Sequence, residues 1–345
     1  MKFDTTLLAT DLSEIPQLTR QAEAIGFDGI WVSETAHEAF MPLALAAEHS
    51  QRLSLGTSIA VAFPRSPAML AHIGWDLARF SKGRFIMGLG TQVKAHNERR
   101  LGVKWERPVQ RLRETVLAMR AFWDCWQNGT KLNYRGEFFN FTLMTPFFDP
   151  GPHDYPNVPI HIAGVNKLMC QLGGELCEGF QVHPLHTTRY LREIVLPNIE
   201  IGLKKGGRRR SDIELSSGVF VIPTDDADRA RKIEAEARQQ VAFYASTPSY
   251  KTVLEVHGWG DVAHKLSRLA ARGNWAELPA LITDDILAEF AVRGAWAELP
   301  AKLQTKYNGL LDRLSYYFPF VPGQHDEGWR ATVAGFKGRP IQKSD

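Results

Sequence analysis

The chain has little of what marks secreted, membrane-spanning or nucleic-acid-binding proteins. Its three cysteines, Cys125, Cys170 and Cys177, show no CxxC or metal-ligand spacing, which fits a reducing compartment. The formal net charge of +3 is too small for an electrostatic footprint on nucleic acid. No run approaches the roughly 20 apolar residues of a spanning helix, and no signal peptide precedes the first strand-like segment. We therefore expect a cytoplasmic protein without a metal site and without a nucleic-acid or membrane partner.

The phosphate-binding motif of dinucleotide enzymes is also missing. No GxGxxG pattern follows the first strand-like segment, so an open doubly wound sheet is the weaker alternative. Strand-like and helix-like segments alternate along the chain, and eight such strands favour a parallel (β/α)8 TIM barrel. We predict a single barrel domain over residues 1–345, with insertion loops at residues 134–159 and 245–259 over the C-terminal face of the barrel.

Residues 53–92 are the most informative part of the chain. They read as strand, loop, helix, turn and strand, with Ser66 as the predicted N-cap and Pro67 at the first helical position. Both strands end in small or polar residues, GTS at 56–58 and GLGTQ at 88–92. Small residues at strand ends let a flat molecule approach the backbone closely. Active sites of such barrels lie at the C-terminal strand ends, so this pattern predicts a cofactor site there.

These motifs resemble those of the bacterial luciferase-like superfamily of flavin and deazaflavin oxidoreductases. The resemblance rests on IGFDGIWVSE at 25–34, GTSI at 56–59, SKGR at 81–84, GLGTQ at 88–92, PIHIAGVN at 159–166 and EGFQVHP at 178–184. It is nearest to the members that use coenzyme F420, a deazaflavin hydride carrier. The resemblance implies an enzyme that transfers hydride between F420 and a small organic substrate. Since the family is commonly dimeric, it also implies a homodimer.

The resemblance assigns the cofactor contacts. In the family the third strand ends in a bulge at a non-prolyl cis peptide that supports the cofactor ring, which places this peptide at Ser58-Ile59; an ordinary trans strand is the alternative. The turn after the fifth strand holds the cofactor phosphate in the family, and helix N-termini bind anions; simple turn chemistry at Gly164 is the alternative. The predicted cofactor-binding residues are Ser58, Ile59, Gly90, Thr91, Gln92, Ala163, Gly164, Val165 and Asn166.

Candidate catalytic residues follow other strands. Glu34 stands where related F420-dependent dehydrogenases show an Asp-His pair, with His37 nearby, and this departure puts a sugar phosphate substrate in doubt. His183 and His186 flank one strand end, and histidine exchanges protons near neutral pH; packing is the alternative for both. We predict catalytic roles for Glu34, His37 and His183, and substrate contacts for Phe63 and His186.

Two further functions stay open at this point. The same barrel serves FMN-dependent luciferase-like monooxygenases, in which reduced flavin activates oxygen, and none of the candidate residues separates FMN from F420. A flavin-binding homologue that has lost catalysis is the second alternative, although the small residues at the strand ends argue against it.

Overall fold

Eight parallel strands pair in chain order and close into a barrel. The computed structural model describes residues 1–8 and 11–338. Closure is made by the first and eighth strands, where Phe3 aligns with Leu314. The barrel strands are Lys2–Thr6, Gly29–Val32, Ser54–Thr57, Phe85–Gly90, Ile160–Gly164, Gly179–Val182, Glu214–Pro223 and Arg313–Tyr316. The predicted (β/α)8 barrel is confirmed.

Helices surround the barrel, and the buried apolar side chains form one continuous cluster. The Ser66 side chain caps the helix that begins at Pro67, as predicted, by accepting from the Ala68 amide (3.3 Å). The longer helices are Ile15–Ile25, Phe40–Glu48, Pro67–Phe80, Pro108–Asn128, Lys167–Leu176, Leu196–Lys205, Ala227–Ala245, Gly260–Ala271, Leu299–Tyr307 and Asp326–Phe336. Shorter elements include the helices Lys94–Arg99, Thr188–Tyr190, Thr252–Glu255 and Asp284–Phe290 and the strands Ala60–Val61, Tyr134–Arg135, Asn140–Phe141 and Ala291–Gly294.

The single-domain prediction covers residues 1–345 and so includes residues 9, 10 and 339–345, which lie outside the described residues; it stays a prediction. Across residues 1–8 and 11–338, none of the helices has both the length and the apolar character needed to cross a bilayer.

A buried ion-pair network fills the N-terminal half of the barrel. The Arg313 guanidinium binds both carboxylate oxygens of Asp4 (2.6 and 2.9 Å) and one oxygen of Glu214 (2.8 Å). The Trp31 indole N–H also donates to Asp4 (2.9 Å). Because Arg313 and Asp4 are buried, their fixed hydrogen bonds offset the cost of removing their charges from water. This part of the barrel is therefore packed core, as in other barrels of this class.

The insertion at residues 134–159 does not lie over the C-terminal mouth, so this part of the prediction is wrong. Helix Pro108–Asn128 runs from the C-terminal to the N-terminal end of the barrel. The insertion follows this helix and leads to the start of the fifth strand, so it packs on the outer helices and not over the mouth. The Trp75 indole N–H donates to the Gly151 carbonyl (3.2 Å), and the Glu114 carboxylate accepts from two amides of the hairpin (2.9 Å each).

The insertion at residues 245–259 does lie at the C-terminal end of the barrel. The Tyr250 ring is 4.6 Å from the ring of His183, which directly follows the sixth strand. The Thr187 hydroxyl is 2.7 Å from Nε2 of His257. These contacts join the insertion to the strand end where the sequence predicts a site, so the prediction is confirmed for this loop.

Candidate active site at the barrel mouth

The C-terminal mouth of the barrel is floored by small side chains. Side chains alternate along a strand, so every second residue faces the inside of the barrel. One layer of these inward-facing residues includes Asp4, Trp31, His161 and Arg313, all of them buried. The inward-facing residues of the next layer toward the C-terminal strand ends are only half-buried, although they lie in or directly after barrel strands. These residues, which we call the mouth floor, are Thr6, Ser33, Ser58, Ala163, Gly218 and Ser315. The packed core therefore ends one layer below the strand ends and leaves a concave surface.

The Ser58-Ile59 peptide is cis, as predicted. Three hydrogen bonds hold it: the Ser33 hydroxyl donates to the Ser58 carbonyl (2.7 Å), the Ser58 amide to Val32 (2.8 Å) and the Glu34 amide to Ile59 (3.2 Å). A side chain at Gly90 would place Cβ 2.6 Å from Cδ1 of Ile59, so it would have to displace the Ile59 side chain. The bulge is a fixed, half-buried surface beside the mouth floor. Its contact with a cofactor stays a prediction.

The loop after the fourth strand is fixed by a buried amide. Asn97 is fully buried, and its side-chain N–H groups donate to the carbonyls of Thr91 (2.8 Å) and Val93 (3.1 Å). The Gln92 side chain folds back to accept from the Val93 amide (3.1 Å). Thr91 and Gln92 are half-buried and adjoin Gly90, so the structure brings these three predicted cofactor residues together beside the bulge.

The turn from Ala163 to Asn166 joins the fifth strand to helix Lys167–Leu176, as predicted. The Tyr190 hydroxyl donates to the Val165 carbonyl. Asn166 is exposed and its side chain makes no capping hydrogen bond, which is compatible with an anion at this helix N-terminus. A side chain at Gly164 would place Cβ 2.3 Å from Cγ of Met169. Close packing against Met169 therefore also explains why glycine occupies this position. The phosphate role of the turn stays a prediction.

Glu34 is held in an ion pair beside the bulge. One of its carboxylate oxygens accepts from the Arg65 guanidinium (2.8 Å) and from the Val61 amide (2.8 Å). Arg65 also contacts Glu38 (3.2 Å), and the side chains of Arg65 and Glu34 are 18% and 15% exposed. The geometry gives Glu34 a role in positioning the third strand end, and its catalytic role stays a prediction. His37 lies exposed on the same loop.

His183 faces the mouth from the end of the sixth strand. The Leu185 amide donates to its Nδ1 (3.1 Å), so the neutral ring carries its proton on Nε2. Burial lowers the pKa of His183 to about 3. The ring is therefore uncharged at neutral pH. It can donate a hydrogen bond from Nε2, but it is a poor source of a proton.

Phe63 and His186, for which the sequence predicts substrate contacts, both have buried side chains. Phe63 is 4% exposed and lies beneath the Arg111 guanidinium, 4.6 Å from the ring centre. His186 is 1% exposed, and its Nδ1 donates to the His183 carbonyl (3.0 Å). Its ring packs near Tyr307 of the outer helices. The substrate contacts of both residues stay predictions.

A cluster of aromatic side chains that the sequence analysis did not select lies beside His183. The hydroxyls of Tyr244 and Tyr317 are 2.6 Å apart. The Tyr317 ring is 4.4 Å from Phe220, and the Tyr244 ring is 4.6 Å from His183. Together with Tyr250 these residues form what we call the aromatic wall, above the sixth to eighth strands. Tyr317 directly follows the eighth strand, so the strand-end rule could have identified it, whereas Tyr244 belongs to a helix and carries no such signal.

The fold and the mouth define a TIM-barrel protein with a candidate cofactor and substrate site at its C-terminal strand ends. The sequence matches the family model described as luciferase-like monooxygenase over residues 2–313. The chain belongs to this family of enzymes.

Individual relatives agree with this assignment. An uncharacterized protein of Mycobacterium tuberculosis is 46% identical over 328 residues, which cover 93% of this chain and 95% of the relative. The 5,10-methylenetetrahydromethanopterin reductase of Archaeoglobus fulgidus is 29% identical over 284 residues, which cover 80% of this chain and 81% of the reductase. The structure of the coenzyme F420 dependent tetrahydromethanopterin reductase from Methanopyrus kandleri superposes with a TM-score of 0.77 at 22% identity and 97% coverage of both chains. The last likeness shows a shared fold.

Proposed function

We propose that this protein is an oxidoreductase that binds coenzyme F420 at the barrel mouth and transfers hydride between the cofactor and a small organic substrate. The observation that carries the proposal is the half-buried mouth floor of small side chains at the strand ends, which continues into the strand end at Ser58 and Ile59. Small side chains at strand ends let a flat ring system approach the backbone closely. The names of the two reductases described above support reduction chemistry, and one of them names F420.

Different residues of the mouth would hold different parts of the cofactor. The Ser58-Ile59 bulge and Gly90 would support one face of the ring, and the backbone of the turn from Gly164 to Asn166 would hold the phosphate. When bound, F420 supplies or accepts a hydride at the carbon that replaces N5 of a flavin. The aromatic wall, including His183, borders the remaining part of the mouth, which is left for the substrate. Glu34 and Arg65 hold the bulge in place.

An FMN-dependent monooxygenase is the second candidate, because the matching family model is described as luciferase-like monooxygenase. Titration of the purified protein with F420 and with FMN, followed by the change in their visible absorbance, separates the two. We expect F420 to bind at least about tenfold more tightly than FMN, a difference of about 1.4 kcal/mol. Tighter binding of FMN, with oxygen consumption by the reduced complex, would favour the monooxygenase. Binding of neither cofactor would contradict both.

A further inference from the structure

The loop after the fourth strand holds one residue in an uncommon backbone conformation. Gln92 has a φ of 58°, in the left-handed region that residues other than glycine rarely adopt. The Asn97 side chain donates to the carbonyls on both sides of it, those of Thr91 (2.8 Å) and Val93 (3.1 Å). A residue that its neighbours hold in this region is a candidate for a functional role.

Asn97 makes these two hydrogen bonds at a cost. Its side chain is fully buried, and among the residues that the structure describes its Oδ1 has no hydrogen-bond partner. A buried carbonyl oxygen without a partner is unfavourable. An apolar side chain at this position would avoid that cost, but it could not donate to the two carbonyls. The buried amide therefore serves to hold the loop around Gln92 in one conformation.

The side chain of Gln92 is fixed with its nitrogen free. Its Oε1 accepts from the Val93 amide (3.1 Å), which sets the orientation of the terminal amide because Nε2 is a donor only. Nε2 thus carries two N–H groups, and in residues 1–8 and 11–338 no group accepts from them. Gln92 is half-buried and its nitrogen is not enclosed, so a ligand can reach these donors.

The free donors belong to the strand end next to the bulge. Gln92 stands two residues after Gly90, and Gly90 lies against the Ile59 side chain. Small side chains let a flat ring approach, but they do not fix its orientation within the plane. Ligand sites fix orientation with a small number of polar groups. The deazaflavin ring carries carbonyl oxygens along one edge, and an uncharged amide N–H is a suitable donor for such an oxygen.

We propose that the Gln92 side-chain nitrogen donates a hydrogen bond to a carbonyl oxygen on the edge of the cofactor ring, and so fixes the orientation of the ring at the barrel mouth. The inference rests on the proposed F420-dependent function. Since the amide neither gains nor loses a proton near neutral pH, the role assigned to Gln92 is binding and not proton transfer.

The test compares Gln92→Glu and Gln92→Gly with Gln127→Glu as the matched control. Glutamate keeps an acceptor for the Val93 amide but cannot donate at neutral pH. Glycine removes the side chain, adds no charge and tolerates the left-handed backbone. Gln127 is matched because its Oε1 also accepts from a backbone amide, that of His153 (3.2 Å), near the end of helix Pro108–Asn128.

Two probes separate the ring from the phosphate. One is F420, and the other is its phosphate-free form, which keeps the deazaflavin ring and ends at the ribityl chain. Affinity for each is measured by absorbance titration, and the melting temperature of each variant is measured in parallel.

We expect Gln92→Gly to weaken binding of both probes by about three- to tenfold, the effect of one neutral hydrogen bond. Gln92→Glu should weaken both by about tenfold or more, because a carboxylate would face a ring oxygen without a cation. Gln127→Glu should bind both like wild type, and all three variants should melt close to wild type.

The proposal is overturned if Gln92→Gly and Gln92→Glu bind both probes like wild type. It is also overturned if only F420 binding weakens, which would place Gln92 at the phosphate, or if Gln127→Glu loses as much affinity as the Gln92 variants. Failure of the wild-type protein to bind F420 would instead contradict the proposed function.

Discussion

At the scale of single residues, the mouth contains two glycines with different surroundings. Gly90 lies against the Ile59 side chain, whereas a Cβ atom at Gly218 would make only ordinary van der Waals contacts, at 3.8 Å or more. We expect Gly90→Ala to push Ile59 toward the surface where the cofactor ring would lie, and so to weaken F420 binding by about tenfold, or about 1.4 kcal/mol. Gly218→Ala is the matched control, with unchanged F420 affinity. Equal F420 affinity in both variants, measured by absorbance titration, would contradict a role of the bulge in ring binding.

The Arg65–Glu34 pair supports a prediction about stability. Arg65→Met leaves the mostly buried Glu34 carboxylate without its cation, which we expect to lower the free energy of unfolding by about 2–4 kcal/mol. Glu34→Gln in the Arg65→Met background should recover part of that loss, because it removes the unpaired charge. Urea unfolding of the single and double variants measures both effects. If the change in the free energy of unfolding of the double variant equals the sum of the changes in the two single variants, the two side chains do not interact.

At the scale of elements, the placement of the insertion at residues 134–159 can be tested through Glu114. Its carboxylate accepts from the amides of Glu137 and Phe138 and ties the hairpin to helix Pro108–Asn128. We expect Glu114→Ala to lower the free energy of unfolding by about 1–3 kcal/mol, since two backbone donors lose a charged acceptor. F420 affinity should not change, because the hairpin packs against helix Pro108–Asn128 and the preceding Arg107. A large loss of F420 affinity at unchanged stability would place the insertion at the cofactor site.

Elements with local signals were predictable from the sequence, and those fixed by distant contacts were not. Ser66 and Pro67 mark a helix start through their own backbone chemistry, and the GTSI motif identified the Ser58-Ile59 bulge by resemblance. The composition of residues 134–159 identified an insertion, but not the end of the barrel on which it packs. Tyr244 and Tyr317 lie 73 residues apart, and only the closure of the barrel brings their hydroxyls together.

At the scale of the whole molecule, three buried histidines make the fold sensitive to acid. Burial lowers the pKa of His161 and of His183 to about 3 and that of His186 to about 4, whereas in the unfolded chain all three titrate near about 6.5. Above about pH 6.5 these histidine side chains are neutral in both the folded protein and the unfolded chain. As the pH falls toward about 4, the unfolded chain binds protons that the folded protein excludes, so the free energy of unfolding decreases.

The expected slope is about 1.4 kcal/mol per pH unit for each histidine, or about 4 kcal/mol per unit for the three between about pH 6 and 5. Urea unfolding at several pH values measures it. His186→Gln should reduce the slope by about 1.4 kcal/mol per unit. A free energy of unfolding that stays constant from pH 7 to 5 would show that these rings become protonated without unfolding.

We propose that F420 binds at the barrel mouth with its ring on the Ser58-Ile59 bulge. A crystal structure of the protein soaked with F420 would show where the cofactor lies. We expect density for the deazaflavin ring against the Ser58-Ile59 peptide and Gly90, and for the phosphate at the backbone of Gly164, Val165 and Asn166. Density for the ring elsewhere on the molecule, or an empty mouth at a concentration of F420 that saturates binding in solution, would contradict it.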